Sequence, residues 1–298
     1  MHDAPKNLSA YHKSLHESLE NAFLRRALDK FAVDYRANRV NIFKDVPERE
    51  LISKIAAAKD LSCKRLDELY QQFKTEAEKR GAKVHFARTA AEANEIIARI
   101  ARDNKVKKVI KSKSMTAEET LLNHRLEKDK LEITETDLGE WIIQLRNEPP
   151  SHMVMPAIHL SRDEVAEDFS RATKEKHSND IGKLVKVARR ELRRKFIEAD
   201  MGISGANFAV AENGTIAIVT NEGNGRLVTT LPKVHVALIG IDKLTPTLEE
   251  ALTALQVLPR NATSQRLTSY VSWIGGANAM TGGKDGKDGK KEVHFVFL

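Results

Sequence analysis

Three short stretches of this 298-residue chain gather side chains that could act on a small anion. The first is Lys111-Ser112-Lys113-Ser114-Met115-Thr116, between a strand pattern and a helix pattern. Free N–H groups and the dipole at a helix start attract a carboxylate or phosphate. Lys111 and Lys113 would add charge, and Ser112, Ser114 and Thr116 hydroxyls. The same residues also read as a capped helix start, with Ser114 or Thr116 as N-cap and Glu118 and Glu119 in the first turn. The second stretch is Ala211-Glu212-Asn213-Gly214-Thr215. Asn-Gly is a hairpin signal, whereas Glu212 is the candidate catalytic residue, since a carboxylate placed in a cleft could act as a general base toward a hydroxy acid. The third is Asn221-Glu222-Gly223-Asn224-Gly225-Arg226. Its glycines allow a close backbone approach, Asn221 and Asn224 offer amides, and Arg226 could clamp a carboxylate bidentately. A polar loop with turn glycines is the alternative.

Other polar residues carry less. Glu135, Asp137 and Glu140 flank a strand end, where open α/β sheets place ligands. His152 and His159 stand either side of Pro156, which is not a helical metal-ligand spacing, so no metal site is expected. There is no G-x-G-x-x-G after a strand and no P-loop. The single cysteine, Cys63, rules out an intrachain disulfide and a Cys-ligated cluster. The formal charge of +7 and the 5% aromatic content give little support to nucleic acid as a partner. No apolar run approaches the ~20 residues of a membrane span, and the N-terminus lacks a signal-peptide core. The expectation is a cytoplasmic protein without membrane insertion.

These residues need elements to hold them. The first eighty residues read as helix: Leu15, Leu19, Phe23, Ala27 and Phe31 form one stripe. Pro47 opens a second pattern, Cys63 falls inside it as a buried or half-buried residue, and Gly81 ends it. Alternation follows: strands at 83–87, 106–111 and 131–134, helices at 90–101 and 114–126. Such alternation predicts βαβ units and a parallel sheet. A strand is expected at 153–158 and a helix from Asp163. Ile181, Val185, Ala188, Leu192 and Phe196 predict one face of a helix whose other face carries Lys183, Lys186, Arg190, Arg193 and Arg194. Residues 202–240 are strand-rich, 247–258 a helix, and 281–291 a turn. The final EVHFVFL is a strand pattern that runs into the C-terminus, as expected of a chain cut short.

Several stretches resemble the LUD domain of the lactate-utilisation protein B family. They are KSKSMTAEE at 111–119, TETDLGEWIIQL at 134–145, PSHMVMPAIHLSRDEVAEDF at 150–169 and GISGANFAVAENGTIAIVTNEGNGRL at 202–227. The resemblance runs in order across nearly the whole chain. It implies an α/β, NagB/RpiA/CoA-transferase-like fold, a mostly parallel sheet flanked by helices. Residues 1–80 would be a long helical N-terminal extension and 81–298 the LUD domain. Full-length family members continue into a ferredoxin-like domain whose cysteines bind 4Fe-4S clusters; that iron–sulfur domain is absent here. The implied role is in oxidising L-lactate to pyruvate with other lactate-utilisation subunits as partners. This part would bind a small anionic substrate or a partner subunit, and electron transfer would lie outside it. Glu212 resembles the glutamate nucleophile of CoA-transferases. The 111–116 loop stands where sugar-phosphate isomerases bind phosphate, although it has no glycine. A CoA-transferase- or isomerase-like enzyme, or a non-catalytic scaffold docking through the basic helix, are the alternatives.

Overall fold

The structure is a computed structural model that describes residues 8–277 and 291–298. In chain order the chain forms α1 (Leu8–Glu20), α2 (Ala22–Ile42), α3 (Glu48–Cys63), α4 (Leu66–Lys79), β1 (Ala82–Phe86) and α5 (Ala90–Asp103). Next come β2 (Lys108–Lys111), α6 (Met115–Glu119), α7 (Leu122–Lys128), β3 (Glu132–Glu135), α8 (Leu138–Arg146), α9 (Arg162–Thr173) and α10 (Ile181–Glu198). The last part holds β4 (Met201–Ser204), β5 (Phe208–Val210), β6 (Thr215–Thr220), α11 (Asn224–Thr230), β7 (Val234–Ile239), β8 (Leu244–Thr245), α12 (Leu248–Thr263), β9 (Tyr270–Ile274) and β10 (Glu292–Phe297). Residues 281–290 of the expected turn lie outside the described residues. No described helix is long and apolar enough to cross a membrane.

The chain divides into two compact units, one of residues 1–38 and 137–194, the other of 39–136 and 195–298. The smaller unit is helical. In it Trp141 of α8 meets Phe169 of α9, ring centroids 5.0 Å apart. Arg146 bonds Asp168 at 3.0 Å and Glu148 at 2.9 Å. Ser161 and Glu164 close a capping box at the start of α9.

The larger unit confirms the α/β expectation. Its main sheet has six strands, all parallel, in the order β1-β10-β7-β4-β2-β3. Side chains alternate across it as the two-residue strand period requires. Val109, Ile203, Val236 and Val296 pack with Ile97 and Leu122 on one face. Ala237, Val293, Phe295 and Phe297 pack with Leu69 and Phe73 of α4 on the other. A second sheet, β8-β5-β6-β9, was not foreseen as separate; its β5–β6 and β6–β9 pairs are antiparallel. The connection from β2 goes outward to β3, and the chain then returns to lay β4 on the other side of β2. That reversal makes a switch point, and the crevice at the carboxyl ends of β2 and β4 is where such sheets take ligands.

Several local expectations are corrected. The N-terminal helix breaks at Asn21, whose Oδ1 accepts from Leu24 N at 3.0 Å and so caps a new helix. The helix of 114–126 breaks at Leu121, which sits at φ +55°. Residues 153–158 form turns instead of a strand: His152 Nδ1 accepts from Val154 N and Met155 N, and Pro156 has no N–H to give a ladder. Cys63 is exposed; Ser62 takes the inward position at the end of α3. In α10 Ile181 and Val185 are exposed while Leu184, Val187, Ala188, Leu192 and Phe196 are buried. Gly81 does end α4, at φ +84°, its N–H donating to Glu78 O.

Candidate functional site

β2 is four residues long and ends on a charge. Lys111 shares the face of Val109, which belongs to the apolar core, and is completely buried. Its ammonium is held by two carboxylates: Glu118, at the end of α6, in a close ion pair, and Glu135, the last residue of β3, at 3.0 Å. Asn123 Nδ2 donates to Glu135 Oε1 at 2.8 Å. Burial alone would lower the Lys111 pKa, but Glu135 and Glu118 outweigh it and hold it above the ordinary range. Burial pushes the Glu135 carboxyl up, and Lys111 and Asn123 only partly oppose it. The result is a buried lysine facing two acids, one of them, Glu135, raised above the ordinary carboxylate range by its burial.

The next residues pin the loop at the switch point. Ser112 N donates to Ile203 O of β4 at 2.9 Å. Thr136 closes the other side: its N and its Oγ1 each donate to Lys111 O at 2.9 Å. Ser114 is the N-cap of α6, accepting from Ala117 N at 3.3 Å. A methyl group on Gly205 would lie 3.0 Å from Ser114 Oγ, so the loops after β2 and β4 touch. Ser112 is buried, and its Oγ has no hydrogen-bond partner among the described residues. Buried hydroxyls are seldom left so, and an unmet one in a crevice invites a ligand or water. Lys113 and Thr116 are half-buried at the mouth of this loop. Because α6 has five residues, its dipole adds little.

The other two stretches have different neighbours. Glu212 is exposed on the β5–β6 turn; its N–H donates to Pro246 O at 3.0 Å and its carboxylate accepts from Leu248 N at 3.1 Å, at the head of α12. Gly214, at φ +63°, fits because any Cβ would collide with the backbone of Ala77 in α4. Asn213 O accepts from Arg80 Nε at 2.8 Å. In the third stretch Asn221 Nδ2 donates to Gln265 Oε1 at 2.6 Å and its Oδ1 accepts from Ser269 N at 3.2 Å. Asn224 Oδ1 accepts from Gly225 N at 2.8 Å. Arg226 is exposed and stacks over Tyr270, 4.5 Å from the ring centroid. The Lys111 loop is thus tied to β3 and β4, Glu212 to the α4 and α12 ends, and Arg226 to the β9 side. Asp137 caps α8 through Gly139 N and Glu140 N. His159 bonds Ser151 at 2.7 Å and Glu148 at 2.9 Å.

Sequence reasoning missed Asn123, Thr136 and the partner role of Glu118. It also missed a histidine pattern in the strands. Ser204 Oγ and His235 Nε2 lie 2.8 Å apart, both completely buried. Burial, then the charge of Lys291 and His294, lowers the His235 pKa to about 3. His85 Nε2 and His294 Nδ1 lie 3.1 Å apart in stacked rings. Burial, then His294, lowers the His85 pKa to about 4. The available signal was a titratable side chain interrupting the apolar runs VHVALI, KVHF and EVHFVF.

The resemblance places 4Fe-4S clusters in a further domain of full-length members, and the residues of this chain do not fit one. Such a cluster takes about four thiolates, and this chain has one cysteine, exposed at the end of a helix. Among the described residues no three His, Cys, Asp or Glu side chains are grouped to hold a metal ion.

The model of the LUD domain matches residues 70–298. The chain is 37% identical over 293 residues to lactate utilization protein B of Oceanobacillus iheyensis, covering 97% of this chain and 60% of that protein. It is 38% identical over 293 residues to lactate utilization protein B of Bacillus subtilis, again 97% of this chain and 60% of that protein. The chain therefore spans about three fifths of the length of these curated relatives. A solved structure of a DUF162 family protein from Deinococcus radiodurans aligns with a TM-score of 0.43 at 15% identity, over 78% of this chain and 97% of that one.

Proposed function

The chain belongs to the LUD domain family, and from that premise we propose that it serves a lactate-utilisation system in which L-lactate is oxidised to pyruvate. Its part is to bind the small hydroxy- or keto-acid at the switch point of the parallel sheet. The observation that carries this reading is the buried, unpartnered Ser112 hydroxyl in the loop that β2 leads into at the switch point. Ser112 supplies a hydrogen bond to the acid. Lys113 supplies positive charge beside Thr116, while Lys111, neutralised by Glu118 and Glu135, holds the strand end in place. Glu135, whose carboxyl burial raises above its ordinary range, is the candidate base for the substrate hydroxyl proton. The two electrons of the oxidation leave to a carrier that these residues do not hold. Other lactate-utilisation subunits, or the remaining length found in the relatives, are where that carrier is assigned.

Calorimetric titration with L-lactate, pyruvate and a CoA ester tests the reading. Saturable binding of lactate or pyruvate is expected, weakened about five- to tenfold by Ser112→Ala, the loss of one hydrogen bond. Absence of binding at millimolar concentration, or an affinity untouched by Ser112→Ala, overturns it. Binding of the CoA ester alone would instead support a transferase centred on Glu212.

A further inference from the structure

Away from the switch point, the larger unit has a second concavity between α3 and α12, floored by the start of β5 and by β8. It encloses about 250 Å³ and is lined mainly by apolar atoms, among them Ile55, Ala58, Phe208 and Ala254. At roughly 30 Å³ per liquid-packed heavy atom, that is room for about eight non-hydrogen atoms. The polar groups on its wall are nearly all satisfied within the chain. Ser62 Oγ donates to Ala58 O at 2.8 Å, and Thr253 Oγ1 to Glu249 O at 2.8 Å. Lys59 Nζ donates to Asp242 O at 2.7 Å and Leu244 O at 3.3 Å, and Lys54 Nζ lies 4.0 Å from Glu249. One polar atom stands out: Glu250 Oε2 is buried and has no hydrogen-bond partner among the described residues.

We propose that this pocket is a ligand site for a small neutral molecule with an apolar body and a hydroxyl head, seated with the head against the Glu250 carboxyl group. The apolar wall supplies the body's binding energy. The wall's charges balance, two lysines against two glutamates, so neither a carboxylate nor an ammonium head gains from the site as a whole. A carboxylate head would also face the acids Glu249 and Glu250 directly. A hydroxyl both donates and accepts, which suits a carboxyl that burial and the neighbouring Glu249 push toward its protonated form. This site is independent of the reading given for Ser112 and stands if that reading fails.

The test uses benzyl alcohol, toluene and benzoate as probes on the intact chain, followed by methyl NMR of the alanines. Benzyl alcohol is expected to bind saturably, shifting Ala58 and Ala254, with toluene weaker by about tenfold and benzoate weaker still. Ala254→Phe fills the pocket and should abolish binding. Glu250→Leu keeps the pocket but removes the acceptor, so the preference for the alcohol over toluene should vanish while toluene binding persists. Non-saturable shifts, benzoate binding as well as the alcohol, or an alcohol preference that survives Glu250→Leu each overturn the proposal.

Discussion

A lysine buried at a strand end keeps its charge because two carboxylates face it, and this sets what each substitution there must do. Lys111→Met removes the cation and leaves the buried Glu135 carboxylate, to which Asn123 still donates, without its opposite charge. Breaking a buried pair from one side costs about 3–5 kcal/mol, most of it the penalty of the stranded charge. Lys111→Met/Glu135→Leu removes that stranded charge, so it should recover most of the loss; urea denaturation of the single and double variants measures the coupling. Additive effects would mean the two side chains do not act as a unit. The strand histidines give a pH dependence with the opposite dependence on charge. His235 is neutral in the folded chain down to about pH 3, against 6.5 unfolded. Protons below pH 6.5 therefore bind the unfolded chain preferentially. Stability is fully present above 6.5 and falls as pH drops toward 3. Between pH 6.5 and 5 this one group removes about 2 kcal/mol, at 1.36 kcal/mol per unit. His85, lowered to about 4, acts in the same direction. The double variant His235→Leu/Ser204→Ala should lose correspondingly less between those pH values, and a slope equal to the parent's would remove His235 as the cause.

At the scale of elements, close approach decides more than propensity. Gly202 lies in β4 where α11 crosses it, and any Cβ there would run into Val228 O. Gly202→Ala must push α11 off the strand or bend the strand itself, at about 2–3 kcal/mol or more. Because β4 ends in Ser204 and leads into Gly205 against Ser114, the same substitution should also loosen ligand binding at Ser112. Denaturation and titration of one variant check both, and a destabilised chain with undiminished binding would show that β4 does not brace the site. The sequence made some of this readable. The βαβ alternation, the helix caps at Ser114 and Gly81 and the Asn-Gly turn are short-range signals, written in residues that touch. The Lys111 loop at a strand end was readable for the same reason. The contact of Lys111 with Glu135 was not, because it joins residues on two strands and depends on which strands become neighbours. Glu212 stood out by its triplet, yet its carboxylate meets Leu248 N, 36 positions along the chain. The helix breaks at Asn21 and Leu121 were hidden because both lie within continuous helical periodicity, and Leu121 takes a left-handed backbone that a leucine side chain disfavours by about 1–2 kcal/mol.

Across the whole molecule, strand order and chain order part company, and the difference sets when the fold can close. β10, the last strand in the chain, does not sit at an edge: it pairs with β1 on one side and β7 on the other. Its Phe295 and Phe297 meet Phe73 of α4 at centroid distances of 5.6 and 5.0 Å. Val293 and Val296 fill the core on opposite faces. β1 therefore has no partner on its inner side until residues 292–297 have been made. Removing 291–298 would delete two buried phenylalanines, each worth about 3–5 kcal/mol by truncation, along with two ladders of backbone hydrogen bonds. The phenylalanines alone account for about 6–10 kcal/mol, comparable to the 5–15 kcal/mol that stabilises a typical domain. The shortened chain should show no cooperative urea transition. The opposite end behaves differently. α1 has no buried residue, and a helix of its length is marginal without packing. Removing residues 1–20 should leave the midpoint of the larger unit's transition within experimental error. Circular dichroism on the two truncations decides the matter: a cooperative transition without β10, or a lost one without α1, would place the stabilising contacts elsewhere than in the six-stranded sheet.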